Sequence, residues 1–148
     1  MAVTVRKASI EDVAEAAKLF DLYRSFYSQQ PDLTGAETFI AERLQNADSV
    51  IFLAFTGGQA IGFVQLYPIF SSVSMQRTWL LNDLYVHQSV RGKGAGTALL
   101  NAAKDFAKTT SSKWLMLQTS ANNTTAQRLY EKNGWVKESD FFYVLNIQ

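Results

Sequence analysis

Six consecutive residues limit this chain more than any others: Arg91-Gly92-Lys93-Gly94-Ala95-Gly96. Before them, Arg77 to His87 is rich in Leu, Tyr and Val and reads as a strand. After them, Leu99, Ala103, Phe106 and Ala107 fall at helical spacing to about Lys108. Glycines at such a junction let the backbone approach a ligand closely. The free N–H groups of a helix start, with its dipole and with Arg91 and Lys93 alongside, suit a diphosphate. The alternative on spacing alone is a tight turn with two solvated cations. The run is not a P-loop, which ends in Gly-Lys-Ser/Thr, nor a dinucleotide fingerprint, whose third glycine counted from Gly92 would fall on Thr97.

The rest of the chain reads as alternating strands and helices. Val3 to Lys7 is a short strand, and Ser9 with Asp12 three residues on marks a helix start. Val13, Ala16, Ala17, Phe20, Tyr23 and Tyr27 then lie at helical spacing, with Pro31 after them. A second helix is expected over Gly35 to Gln45. Val50 to Phe55 and Ala60 to Phe70 are strands joined at Gly57-Gly58. Trp114 to Thr119 reads as a strand, and Asn122 or Asn123 caps a last helix that Asn133-Gly134 stops. Trp135-Val136 and Phe141 to Ile147 are expected as closing strands. This order predicts a single α/β domain over residues 1–148, a mixed central sheet flanked by about four helices.

Composition removes several function classes. With no cysteine there is no thiolate catalysis, zinc finger or disulfide framework, and one histidine, His87, leaves no His-rich metal site. The formal charge of +1 argues against a general nucleic-acid binder. Val50 to Phe55 is the longest apolar run, too short to span a bilayer, and Met1 to Lys7 has no apolar signal segment. The expectation is a cytoplasmic protein with no metal, no nucleic acid and no membrane among its partners.

The stretch Leu84 to Leu100, with Arg91, Gly94 and Gly96 in the fixed places of Arg/Gln-x-x-Gly-x-Gly/Ala, resembles the acetyl-CoA signature of the GNAT superfamily of N-acetyltransferases. Downstream, Asn123-Thr124-Thr125-Ala126-Gln127-Arg128-Leu129-Tyr130-Glu131-Lys132-Asn133-Gly134-Trp135 is similar to its Asn-x-x-Ala-x-x-Leu-Tyr-x-x-x-Gly-Phe element. The element order matches over essentially the whole chain. Gln88, where many relatives carry proline, and Trp135, in place of phenylalanine, are departures that touch no expected chemistry.

The resemblance implies direct transfer of an acetyl group from acetyl-CoA to an amine. The acceptor is a polyamine-like or amino-acid-like small molecule, or a protein lysine. It implies that Leu84, Tyr85 and Val86 lie along the pantetheine arm on a strand splayed from its neighbour. Arg91, Gly92, Lys93, Gly94, Ala95, Gly96 and Thr97 hold the diphosphate, and Asn123 and Ala126 lie near the cofactor. Tyr130 becomes the candidate acid, against a plain core aromatic, and Asn123 the candidate cofactor ligand, against a plain helix cap. An amine is almost wholly protonated at neutral pH, so a base or water chain must take a proton. Asp83 is the nearest carboxylate on the central strand. Alternation puts Asn82 on the face of Leu84 and Val86, and Asp83 opposite, unless a bulge intervenes. Tyr23, Tyr27, Tyr67, Phe70 and Asn82 are candidates for the acceptor pocket, with ordinary core packing as the rival for the aromatics. The apolar run Phe141 to Leu145 either packs on a second subunit, giving a homodimer, or completes its own sheet. A non-catalytic acyl-CoA sensor on the same fold is the competing function.

Overall fold

A computed structural model describes residues 2–148. The chain falls into two compact units, one up to Gln118 and one from Thr119 on. In the first, β1 (Thr4–Lys7), β2 (Val50–Thr56), β3 (Gln59–Ser71), β4 (Gln76–Val86) and β5 (Leu115–Met116) form one sheet in sequence order. The first four are antiparallel neighbours. β5 runs parallel to β4, a pairing that needs a crossover, and α3 (Ala95–Thr109) provides it. The turn at Gly57-Gly58 has positive φ at both residues, 56° and 79°, which suits a two-residue hairpin.

Each face of the sheet carries its own helices. α1 (Val13–Phe26) and α2 (Leu33–Asn46) bury Ala16, Ala17, Leu19, Ala36 and Ile40 in one cluster with Ile51, Leu53 and Phe63. The small residues on the helices let them lie close to the sheet. On the other face α3 buries Leu99, Leu100, Ala103 and Ala107. Its Phe106 ring stands 5.5 Å from Phe52 and 5.2 Å from Trp79, centroid to centroid. The Trp79 indole N–H donates to Thr110 Oγ1 at 2.9 Å, which ties the end of α3 to β4.

Helix boundaries follow their caps. Asp32 accepts from the Gly35 N–H at 3.0 Å, so α2 begins at Leu33, two residues before the expected start. A 3-10 turn over Ile10–Asp12 leads into α1, with the Ser9 N–H donating to Asp12 Oδ2 at 2.8 Å. In the second unit, α4 (Thr124–Lys132) is capped by Asn123, whose Oδ1 accepts from the Ala126 N–H at 3.1 Å.

Three expected strands differ. Trp114 to Thr119 is a strand only at Leu115 and Met116. Trp135-Val136 and Phe141 to Ile147 form no strand. An apolar pattern supplies propensity, but a strand exists only where a neighbour takes its backbone hydrogen bonds.

Arg6 donates to both oxygens of Asp12, at 2.8 and 2.9 Å, and with Ser9 holds that carboxyl down at about 2. A carboxyl whose folded pKa lies below its unfolded value contributes stability that is present above the unfolded value and lost as pH falls through the folded one. Thermal melts from about pH 6 to about pH 2 are therefore expected to fall more steeply for the natural chain than for Asp12→Asn. Parallel curves would deny the pair a part in stability.

Candidate active site

The site begins with a register shift in β4. Leu66 of β3 lies opposite Leu81, and Gln65 opposite Asp83, so Asn82 is one residue too many. An inserted residue exchanges the faces of everything after it. Before it, Trp79 packs on the α3 side. After it, Leu84 pairs with Val64, which pairs with Phe52 on that same side, while Asp83 and Tyr85 turn toward α1. Without the extra residue the carboxylate would stand in the apolar layer beneath α3. The sequence left this to a bulge, and the bulge is at Asn82 itself, which is exposed.

Asp83 is 6% exposed. Its Oδ2 accepts from Gln65 Nε2 at 2.8 Å and its Oδ1 from Asn82 Nδ2 at 3.1 Å, and the Tyr23 hydroxyl also donates to it. Burial pushes its pKa above the usual carboxylate range, and these three neutral donors oppose that rise without cancelling it. Two phenols feel the same carboxylate. Burial, then Asp83, raises Tyr23 well above an ordinary phenol and pushes Tyr67 up to about 12. The Tyr23 ring stands 5.1 Å from Tyr27 and 6.3 Å from Tyr85. Tyr23, Tyr67, Asn82 and Asp83 are thus gathered, with Tyr27 at their margin. Phe70 is not among them. It lies five residues beyond Gln65, about 16 Å along the strand, on the opposite face and near the hairpin end, under Arg77.

One edge of β4 is open at the same place. Its ladder with β5 pairs Trp79 with Leu115 and Leu80 with Met116 and, among the described residues, goes no further. The His87 N–H donates back to the Ile61 carbonyl of β3 at 2.7 Å. By alternation the main-chain groups of Val86 and Leu84 turn to the open edge, while those of Tyr85 turn to β3. The Val86 carbonyl takes the Arg91 Nε–H at 3.0 Å, which draws the cationic loop onto that edge.

The loop then enters α3. A 3-10 turn over Gln88–Val90 is followed by Gly92 and Gly94 with φ of 82° and 87°, values that a side chain strains. A Cβ at either would meet open space, so the strain is conformational and a ligand can come close to the backbone. Gly94 caps α3 without a side chain, and the first intrahelical bond runs from the Ala98 N–H to the Gly94 carbonyl at 3.0 Å. Arg91 and Lys93 are exposed, Ala95 is buried, and Gly96 and Thr97 are half-buried in the first turn. Exposed cations, a helix start and backbone free of side-chain cover are features that suit a diphosphate.

In the second unit, Tyr130 is half-buried on α4, its ring 6.0 Å from that of Trp135 and its carbonyl accepting from the Trp135 N–H at 3.1 Å. Asn123 uses its Oδ1 for the cap described above, and Ala126 is the residue that receives that cap.

The sequence reading did not single out Gln65 and Ser49. Ser49 Oγ donates to Gln65 Oε1 at 2.9 Å, and both are buried. One signal was available: an amide alone within the apolar run Ile61-Gly62-Phe63-Val64-Gln65-Leu66.

Residues 16–135 match the Acetyltransferase (GNAT) family. The chain is 50% identical over 146 residues to the uncharacterized N-acetyltransferase YhfO of Bacillus subtilis (strain 168), covering 98% of each. It is 32% identical over 117 residues to a probable acetyltransferase of Haemophilus influenzae, covering 78% of this chain and 80% of that one. The crystal structure of a probable acetyltransferase superposes with a TM-score of 0.93 at 36% identity, over 98% of both chains. The fold of this family generally uses acetyl-CoA, and the glycine loop, exposed cations and open β4 edge fit such a group. The chain belongs to the acetyltransferase (GNAT) family and is an acetyl-transferring enzyme.

Proposed function

We propose that the enzyme moves acetyl from acetyl-CoA directly to the primary amine of a polyamine-like or amino-acid-like small molecule, with a protein lysine as the rival acceptor. The observation that carries this reading is Asp83, a buried carboxylate of raised pKa among tyrosines, on the strand that leads into the glycine cradle. When bound, acetyl-CoA supplies an acyl carbon activated as a thioester. The remaining work falls to the chain. The loop Arg91 to Thr97 holds the diphosphate. The main chain of Leu84 and Val86 would take the arm along the open edge, and the Val86 N–H would donate to the acyl oxygen. Asp83 takes a proton from the acceptor, because a carboxyl held high is the stronger base near neutral pH. Tyr23, Tyr27 and Tyr67 wall the acceptor, since aromatic faces suit a cation and its alkyl chain. The Tyr130 hydroxyl gives a proton to the leaving sulfur, and Asn123 and Ala126 support the cofactor from the start of α4. A panel of polyamines, amino acids and lysine peptides, assayed for CoA release, tests the acceptor class. Turnover with lysine peptides alone would overturn the small-molecule assignment.

The cradle is checked by calorimetry with acetyl-CoA. Gly94→Val is expected to weaken binding roughly tenfold or more, because a branched side chain strains the positive φ. Lys93→Ala, which leaves the backbone alone, is expected to weaken it several-fold. Unchanged dissociation constants in both variants would remove the loop from the site.

Tyr130→Phe deletes only a hydroxyl. Single-turnover acetyl transfer is expected to slow by roughly 10²–10⁴-fold with acetyl-CoA affinity nearly unchanged. A natural single-turnover rate in this variant would end the acid assignment.

A further inference from the structure

Four polar or charged side chains are buried among the described residues: Ser49, Gln65, Thr78 and Asp83. Thr78 is satisfied locally, its hydroxyl donating to the Ile69 carbonyl at 3.0 Å. The other three are joined end to end across three neighbouring segments of the sheet, Ser49 Oγ to Gln65 Oε1 at 2.9 Å and Gln65 Nε2 to Asp83 Oδ2 at 2.8 Å. Register puts Ile51, Gln65 and Asp83 side by side across β2, β3 and β4. Gln65 is 0% exposed, as are its strand neighbours Val64 and Leu66. An apolar side chain would fill that place without desolvating an amide, so the glutamine is tolerated only because both its ends are bonded.

The chain of bonds has a direction. An ionised carboxylate only accepts, so Gln65 must turn its NH2 to Asp83 and its carbonyl to Ser49, whose hydroxyl then donates. The reversed amide would set two acceptor oxygens against each other. Ser49 therefore fixes the amide, and the amide fixes the carboxylate. The groups around Asp83 are Tyr23 of α1, which is backed by Tyr27, Asn82 on its own strand and Tyr67 of β3. Arg43 and Asp48, from the end of α2 and the loop after it, reach Tyr67. The hydrogen-bond donors to the carboxylate are all neutral, so hydrogen bonds and not an ion pair favour its charged form against burial. Gln65 is the strongest of them in that respect.

We propose that Ser49 and Gln65 are positioning residues, a buried relay that holds Asp83 ionised and aimed to take the proton of the acceptor amine. The inference rests on the reading of Asp83 as base, and the experiment separates the two. Two quantities are followed in the full chain: the ¹³C carboxyl titration of Asp83, assigned by its loss in Asp83→Asn, and the acid limb of kcat/KM. Gln65→Met keeps the volume and removes the amide. Without its donor the carboxyl is expected to titrate higher by roughly one pH unit, with the limb following. Activity then falls about tenfold on the acid side of the limb and little on its plateau. Ser49→Ala is expected to move both in the same direction by less, and Ser49→Thr, which keeps a hydroxyl, to restore the natural values. Melting temperatures near the natural one keep the comparison within folded protein. An acid limb that survives in Asp83→Asn overturns the base assignment alone. A carboxyl midpoint unmoved in both Gln65→Met and Ser49→Ala overturns the relay.

Discussion

A strand with one residue more than its neighbour shows the neighbour two different faces, one before the extra residue and one after it. Asn82 does this to β4. Upstream, Trp79 belongs to the layer under α3. Downstream, Asp83 lies against Gln65 and Tyr23. The outer side of the strand changes over the same stretch, since the β5 ladder ends at Leu80. A single strand thus offers a carboxylate on one face and unladdered main chain on one edge, and its end leads into the glycine loop, which Arg91 ties back to the Val86 carbonyl. The proposed chemistry depends on that coincidence: the acceptor's proton is handled from the face, and the donor's carbonyl from the edge.

Keeping a carboxylate in such a place is costly, because burial disfavours its charge. An arginine would hold it ionised but would also make it a weak base. Neutral donors are a compromise. Gln65, Asn82 and Tyr23 give it hydrogen bonds while its pKa stays above the ordinary range. Asp12 is the contrast within the same chain, gripped by Arg6 and held at about 2, a structural acid with no proton to exchange near neutrality.

The parts of this arrangement that were legible in the sequence are local ones. The glycine run, the capping pair Ser9 and Asp12, and the helical spacing of α1 and α3 depend on residues close together in the chain. The start of α2 was misplaced because Asp32 and not Gly35 sets it. The closing strands were misread because apolar alternation in Phe141 to Ile147 says nothing about a partner. Phe70 looked like a pocket residue by type, but strand parity sends it to the other face from Tyr67. The relay from Ser49 to Asp83 joins residues 34 positions apart in the chain through a cross-strand register that no local pattern encodes. The lone amide of Gln65 in an apolar run was its one visible trace.

The central claim is that the open edge of β4 and the start of α3 form one site for the cosubstrate. Backbone ¹⁵N–¹H spectra recorded as CoA is added test it most directly. The account predicts that the amides of Leu84, Val86, Ala95 and Gly96 move together with one binding constant, while those of Ala36 and Ile40 on α2 stay in place. Saturable CoA binding with those four amides unmoved would contradict it.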